Sequence, residues 1–431
     1  MHLLRLPRFF GAALVAVLCT STLLAQMIAT GDPRHIREPH YPQLCTILRA
    51  QFSSTLRTAP PATDDTSRLQ DALNTCAGTG KAVLLLPTRS NDAFFSGALT
   101  MNGEALVLAR DVTLFGNNYG TKQFISVTGV NPAIMGPGTI DGRGDLISGT
   151  PRLINAKNIT NFTVYHVTLE HAAKMHLYVE GGTGLTVWHL TVATPANTKN
   201  TDGIDIDSLT NATVFDSSLE DGDDGVAVKT NSGPASNITI RNNRFYGTHG
   251  MSIGSQTFRG VTNVLWENNI VFGTDKFGNV ATDNNGIRIK TDPTCGGEVK
   301  QVTYRNTRLI GVKHLLIFNS YYGSCSGTPG IPYFHDIVVD GLTSVNSQTG
   351  AYSQFQGYSA SYPLGLYLSN VHLDVIAQQK SQYANVGLEN SNITPVGTGV
   401  TTFDFDLDHD RDHDRDHDRD HDRDEGHGWG H

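Results

Sequence analysis

Short apolar strands recur along the chain, each with one central residue flanked by apolar neighbours and often preceded by Asn or Gly. They are Phe162-Thr163-Val164, Leu185-Thr186-Val187, Ala212-Thr213-Val214, Ile238-Thr239-Ile240, Val264-Leu265-Trp266, Val302-Thr303-Tyr304, Ile337-Val338-Val339 and Leu366-Tyr367-Leu368. The steps between their middle residues are 23, 27, 26, 26, 38, 35 and 29. A period in the twenties, lengthened where a turn carries an insertion, marks a solenoid. The units are β-branched and rich in Asn, Gly and Thr, with no amphipathic helical stretch of useful length, which disfavours a helical solenoid. Second strands follow within a repeat, as where Thr163-Val164 leads to Val167-Thr168-Leu169 after a polar turn. Several short strands per coil, stacked on those of the next, predict an all-β, single-stranded parallel β-helix. Its core grows along one axis, so a long chain need not split into domains.

Both ends depart from this body. Asp64-Asp65-Thr66 followed by Leu69, Ala72 and Leu73 predicts a short N-terminal capping helix, placed to cover the open apolar end of the solenoid. Before it, Arg5 and Arg8 precede an apolar run from Phe9 to Leu18 that is short for a membrane span, and Ala25 offers a cleavage position. Residues 1–25 therefore read as a secretory signal peptide, and no later stretch reads as a membrane span. The apolar pattern stops after Val400. Asp-His-Asp-Arg repeats four times from Asp408 to Arg423, so 401–431 are expected to be a disordered tail and 26–400 the β-helical catalytic domain. Cys19 falls in the leader, and Cys45, Cys76, Cys295 and Cys325 remain. An even count in an exported protein suggests two disulfides; of the three pairings, proximity favours Cys45–Cys76 with Cys295–Cys325.

The net charge of −9 alters this picture little once it is located. Residues 404–425 hold eleven Asp and Glu425 against four Arg, a net of −8, and leave a nearly neutral body. No broad phosphate-neutralising surface is available, so nucleic acid is excluded as a partner. His409, His413, His417 and His421 alternate with Asp in the tail, but without fixed geometry the tract reads as solvated and no metal site is assigned. Asn158, Asn161, Asn211, Asn237 and Asn392 open glycosylation sequons. Most fall at repeat turns, where inward stacking of the Asn side chains is expected instead.

Four polar clusters interrupt the apolar rungs at coil spacing. They are Asn200-Thr201-Asp202-Gly203, Gly222-Asp223-Asp224-Gly225, Thr248-His249-Gly250 and Arg288-Ile289-Lys290. Asp202 to Asp224 is 22 residues and Asp224 to His249 is 25. If Ile204 and Ile206, Val226 and Val228, and Met251 and Ile253 point inward, the three strands are in phase; Ile287 and Ile289 then point in and Arg288 and Lys290 out. Stacked at one angular position, the clusters give a patch of three carboxylates, an imidazole and two cations. Carboxylates so close cannot all ionise easily, and a protonated carboxyl beside ionised ones is the pairing that glycosidic cleavage requires. Arg288 and Lys290 supply cationic donors for an acidic sugar.

In this order and spacing the four clusters resemble the polygalacturonase family of glycoside hydrolases, family 28. Gly136-Pro137-Gly138-Thr139-Ile140-Asp141-Gly142 and Met251-Ser252-Ile253-Gly254-Ser255 extend the likeness, which runs from about Asp64 to about Tyr322 and more loosely to Val400. The resemblance implies a right-handed pectinase-like β-helix and an inverting, secreted, monomeric hydrolase of α-1,4-linked galacturonic acid chains, with no cofactor or metal. It implies Asp223 as general acid, Asp202 and Asp224 as the pair that holds and activates water, and His249 as the neighbour that tunes the acid. Arg288 and Lys290 are then binders of the galacturonate carboxylate, and an acidic polysaccharide is the partner. Two positions depart from the pattern: Gly225 stands where many members have Cys, and Lys313-His314 stands where many carry a Tyr, with Tyr321 and Tyr322 further on. Alternative readings are a hydrolase of rhamnogalacturonan or xylogalacturonan, and a non-catalytic β-helical carbohydrate-binding protein. A lyase on the same fold would need a Ca²⁺ cage and a basic proton abstractor.

Overall fold

The structure, a computed structural model, describes residues 27–117, 119–120, 123–281 and 283–407. The expected signal peptide and the Asp-His-Asp-Arg repeats lie outside the described residues. Thirty short strands wind from Leu44 to Asp404 as a right-handed parallel β-helix. The repeat read from the apolar pattern is the register itself. Thr163 pairs with Thr186, Thr186 with Thr213, Thr213 with Thr239 and Thr239 with Leu265. Leu265 then pairs with Thr303, Thr303 with Val338 and Val338 with Tyr367. Strand alternation sends the flanking Val164, Val187, Val214, Ile240, Trp266 and Tyr304 into the core and leaves the central residues on the outer face.

Two further stacks close each coil. One aligns Leu177, Ile204, Val226, Met251, Ile287 and Leu316, all fully buried. The other aligns Leu114, Ile140, Leu169, Val192, Leu219, Phe245 and Val271. Three faces thus enclose one apolar core along the axis; the turns that enter the Leu177–Leu316 stack carry Asp202, Asp223, Asp224 and His249, and a strand of that stack, Asn285–Lys290, carries Arg288 and Lys290.

The predicted capping helix is Thr66–Cys76, with Leu69, Leu73 and Cys76 buried. Asp64 Oδ1 accepts the Thr66 N–H at 3.0 Å and starts the helix, while Asp65 accepts the Phe95 N–H and pairs with Arg68. Disulfides join Cys45 to Cys76 and Cys295 to Cys325, the pairing that proximity favours. The last strand, Thr398–Asp404, lies against Gln382–Glu389, so the expected end of the pattern at Val400 falls inside it. That strand is largely exposed and only Val400 packs against the core, which is why no apolar alternation marks it.

The sequon asparagines do stack, but on the outside. Asn237 donates to Asn211 at 3.1 Å and Asn263 to Asn237 at 2.9 Å, all three in the left-handed region that turns the chain between sheets. The inward ladder is a different pair, Asn243 and Asn269, both fully buried and joined at 3.2 Å.

The fold also contains an element the periodicity does not announce. Residues 29–41 form a strap that runs over the outer face of the Thr-centred stack, against the direction in which the coils advance. Ala29 N–H donates to Thr303 Oγ1 (2.9 Å), Gly31 N–H to Asn263 Oδ1 (2.8 Å) and Asp32 N–H to Thr239 Oγ1 (2.9 Å). Asp32 Oδ2 accepts from Thr213 Oγ1 (2.7 Å), Arg34 donates to Leu185 O (2.7 Å), and Tyr165 Oη donates to Glu38 (2.7 Å). The recurrent central Thr is thus the docking row for the strap.

Candidate active site

The register places the polar clusters as the in-phase argument requires. Ile204 pairs with Val226, Val226 with Met251 and Met251 with Ile287, so Asp202, Asp224 and His249 precede equivalent strand positions one coil apart. Parallel neighbours lie about 4.8 Å apart, which brings all six expected residues into one patch. Arg288 stands beside Ser252 in register and projects outward with Lys290.

Each carboxylate has its own partner. Lys290 Nζ donates to both oxygens of Asp224, at 3.2 and 2.9 Å, and Ser252 Oγ donates to Oδ1 at 2.6 Å. Burial pushes the Asp224 carboxyl up, but Lys290 and Arg288 outweigh it and hold it well below the usual carboxylate range. Asp223 Oδ1 lies 2.9 Å from His249 Nδ1 and accepts the Asp224 N–H at 2.9 Å, while Asn200 reaches Oδ2 at 3.3 Å. Burial raises Asp223 too, and the His249 hydrogen bond brings it below its ordinary value. Asp202 is 3.2 Å from Lys229 Nζ; burial and the neighbouring carboxylates leave it raised. The strained proton balance foreseen for three clustered carboxyls is therefore present. The net upward push acts on Asp202 and, most strongly, on its buried neighbours Asp205 and Asp221, and not on Asp223.

The cationic side is equally built. Arg288 is almost fully buried, its Nη2 donating to Asp283 at 2.6 Å, and its Nε and Nη1 have no hydrogen-bond partner among the described residues. Tyr322 covers both cations, its ring centroid 4.9 Å from the Arg288 guanidinium carbon and 5.1 Å from Lys290 Nζ. The ring over the cations is thus not at Lys313-His314 but further along the chain. His314 instead pairs with Asp283 at 2.9 Å and packs on Tyr352.

Asp283 is the residue the sequence reading missed. It binds Arg288 and His314 through its side chain, and its N–H donates to His249 Nε2 at 3.3 Å, so one residue joins the cations to the imidazole. It lies in the insertion between two coils, outside any period, and proximity to Arg288 in sequence was its only signal. His176 is fully buried beneath Asp202. It contacts Asp202 O and Thr194 Oγ1, and burial pushes it down to about 4, so it is neutral at ordinary pH.

Asp223, Asp224 and His249 bring ligand atoms within 4.8 Å of one another, as do Asp141, Glu170 and His171. In the first group Lys290 already occupies both oxygens of Asp224; in the second, Arg57 binds Asp141. Side-chain cations stand where a divalent ion would, and neither group is assigned as a metal site.

A parallel β-helix that gathers three carboxylates, an imidazole and two cations on one outer face has the makings of a carbohydrate-cleaving enzyme. The profile of the Glycosyl hydrolases family 28 matches residues 76–393. An endo-polygalacturonase of Pectobacterium carotovorum subsp. carotovorum is 34% identical over 386 residues, covering 79% of this chain and 90% of that protein. A polygalacturonase of Ralstonia solanacearum is 30% identical, covering 79% of each. The solved polygalacturonase of Erwinia carotovora ssp. carotovora superposes with a TM-score of 0.71 at 32% identity, over 82% of this chain and 99% of that one. The chain belongs to family 28 of the glycosyl hydrolases.

Proposed function

We propose that this chain is a secreted, monomeric hydrolase that cleaves α-1,4-galacturonosyl linkages of polygalacturonate or pectin with inversion at the anomeric carbon. Asp223 is the general acid, Asp202 and Asp224 hold and activate the water, His249 tunes the acid, and Arg288 with Lys290 binds the galacturonate carboxylate. One observation carries the reading: two buried cations, with guanidinium nitrogens that lack hydrogen-bond partners among the described residues, stand directly against a carboxylate set. Neutral sugars would not call for them.

Catalysis follows from charge balance. The His249 hydrogen bond favours the ionised form of Asp223. A bound galacturonate carboxylate draws the positive charge of Arg288 and Lys290 toward itself and excludes water, so burial then dominates and Asp223 takes up a proton. The bond between C1 and the leaving oxygen breaks as Asp223 gives that oxygen its proton. Water attacks C1 from the other face and loses a proton to the Asp202–Asp224 pair.

The test is to follow polygalacturonate digestion by proton NMR while counting reducing ends. Reducing ends that appear first as the β-anomer, with chelator present and without unsaturated product, are expected. First appearance of the α-anomer, or chelator-sensitive unsaturated product, overturns the reading. Product length over time then separates internal from terminal attack.

A further inference from the structure

Under the catalytic carboxylates lies a charged pair that the mechanism above does not use. Lys229 closes the strand Val226–Lys229, one coil on from Ile204–Asp207. Its ammonium sits 3.2 Å from Asp202 Oδ2 and 2.5 Å from Asp205 Oδ1. The ammonium thus bridges the two carboxyls and is the cation that both of them meet. Asp207, opposite Lys229 in register, does not compete, because Tyr178 Oη, the Asn231 N–H and Ser208 Oγ already donate to it.

One ammonium between two carboxyls out of water can balance only one negative charge at low cost. Asp205 is completely buried, and burial pushes it up to about 8, so the proton belongs there. The other ionisable groups facing Asp202 cannot replace the lysine. Asp223 and Asp224 repel it, and their own charge is met by His249 and by Lys290 with Arg288. Asp221 is pushed well up by burial, and His176 is neutral. Lys229 is the one cation in direct contact with Asp202 among the described residues.

We infer that Lys229 is a positioning residue that keeps Asp202 ionised and aimed as the base for the attacking water, with Asp205 as its neutral support. The inference rests on the hydrolase reading above and adds to it the device that sets the acidic edge of activity.

The test is the pH dependence of kcat and KM on polygalacturonate for the wild type, Lys229→Met, Lys229→Arg and Asp205→Asn. Loss of the cation lets burial protonate Asp202 more readily, so Lys229→Met moves the acidic limb up by about one to three pH units, with KM little changed. Lys229→Arg restores the limb. Asp205→Asn leaves it in place, because an amide replaces a carboxyl that is already neutral. An unmoved limb in Lys229→Met, with kcat lowered equally at every pH, overturns the inference. So does a limb in Asp205→Asn displaced downward by about one pH unit or more, which would mark Asp205 as ionised. Should Lys229→Met fail to fold, as its melting transition reports, the Asp205→Asn limb decides. A wild type with no turnover at any pH overturns the hydrolase reading and this inference together, whereas a working wild type with an unmoved limb overturns only the latter.

Discussion

His249 carries its proton on the nitrogen that faces Asp223. Nε2 accepts the Asp283 N–H at 3.3 Å, so Nδ1, 2.9 Å from Asp223 Oδ1, is the donor in the neutral ring. This bond holds the acid below its ordinary value against the push of burial. Its removal has a definite sign. In His249→Ala, Asp223 keeps its proton to higher pH in the substrate complex, so the basic limb of kcat moves up while its plateau falls on the order of 10²-fold, the low end for acid–base assistance. A pH–rate profile of the variant checks this; a basic limb that stays put or moves down would show that the imidazole acts elsewhere.

Asp283 gives a separable effect. Its carboxylate accepts the Arg288 Nη2 hydrogen bond, and it lies outside the acid and base set. Hydrogen bonds to charged groups are worth about 1.5–3 kcal/mol, so Asp283→Asn, which weakens the hold on the guanidinium, should raise KM for oligogalacturonates on the order of tenfold. The change in kcat should be smaller. Initial rates on a defined oligomer measure both, and a fall in kcat at constant KM would contradict the positioning role.

The solenoid was legible because β-strand alternation writes itself into sequence: Thr163, Thr186, Thr213 and Thr239 recur at coil length and pair in that register. Asp202, Asp223, Asp224, His249, Arg288 and Lys290 were legible for the same reason, being tied to in-phase apolar rungs. What escaped has no period. Asp283 and Tyr322 come from loops whose path depends on local packing, and the strap of 29–41 binds through single polar contacts that leave no apolar signature. The location of the surplus proton also escaped, because it depends on which carboxyl meets Lys229 and which meets Lys290.

Tyr322 should act in binding. Its half-exposed ring roofs Arg288 and Lys290, where it restricts their rotamers and offers a face to a sugar ring. With cation–π contacts worth about 0.5–2 kcal/mol, Tyr322→Ala should weaken oligogalacturonate binding roughly two- to thirtyfold, while Tyr322→Phe stays near wild type. Calorimetry in an Asp223→Asn background, which removes turnover, reads this directly. Equal affinity of the Ala and Phe variants would refute it.

Acid stability can be traced to Asp141. Burial raises its carboxyl, but hydrogen bonds from His171 and Arg57 bring it below the ordinary value. A depressed folded value means stability that is present above the unfolded value, about 3.9, and lost as pH falls through the lower folded one. Asp141→Asn should therefore melt below the wild type at pH 5 to 6, and the two curves should converge under strong acid, near pH 2 or below. A gap that persists unchanged in strong acid would assign the loss to packing instead of charge.

The strap makes a prediction about the fold independent of catalysis. Gly31 has φ +73°, and a Cβ there would lie 2.2 Å from Thr239 Oγ1, the atom that accepts the Asp32 N–H, and 3.1 Å from Leu265 Cβ. Gly31→Ala thus combines a left-handed backbone with a collision at the strap's central anchor. Left-handed strain at a non-glycine residue costs about 1–3 kcal/mol, and release of the segment is the cheaper response. Faster amide exchange over 29–38 and a lower melting temperature are expected, with kcat unchanged because the catalytic turns lie on a different face. Undiminished protection across 29–38 would mean that the coils, and not the strap, bear the load on that face.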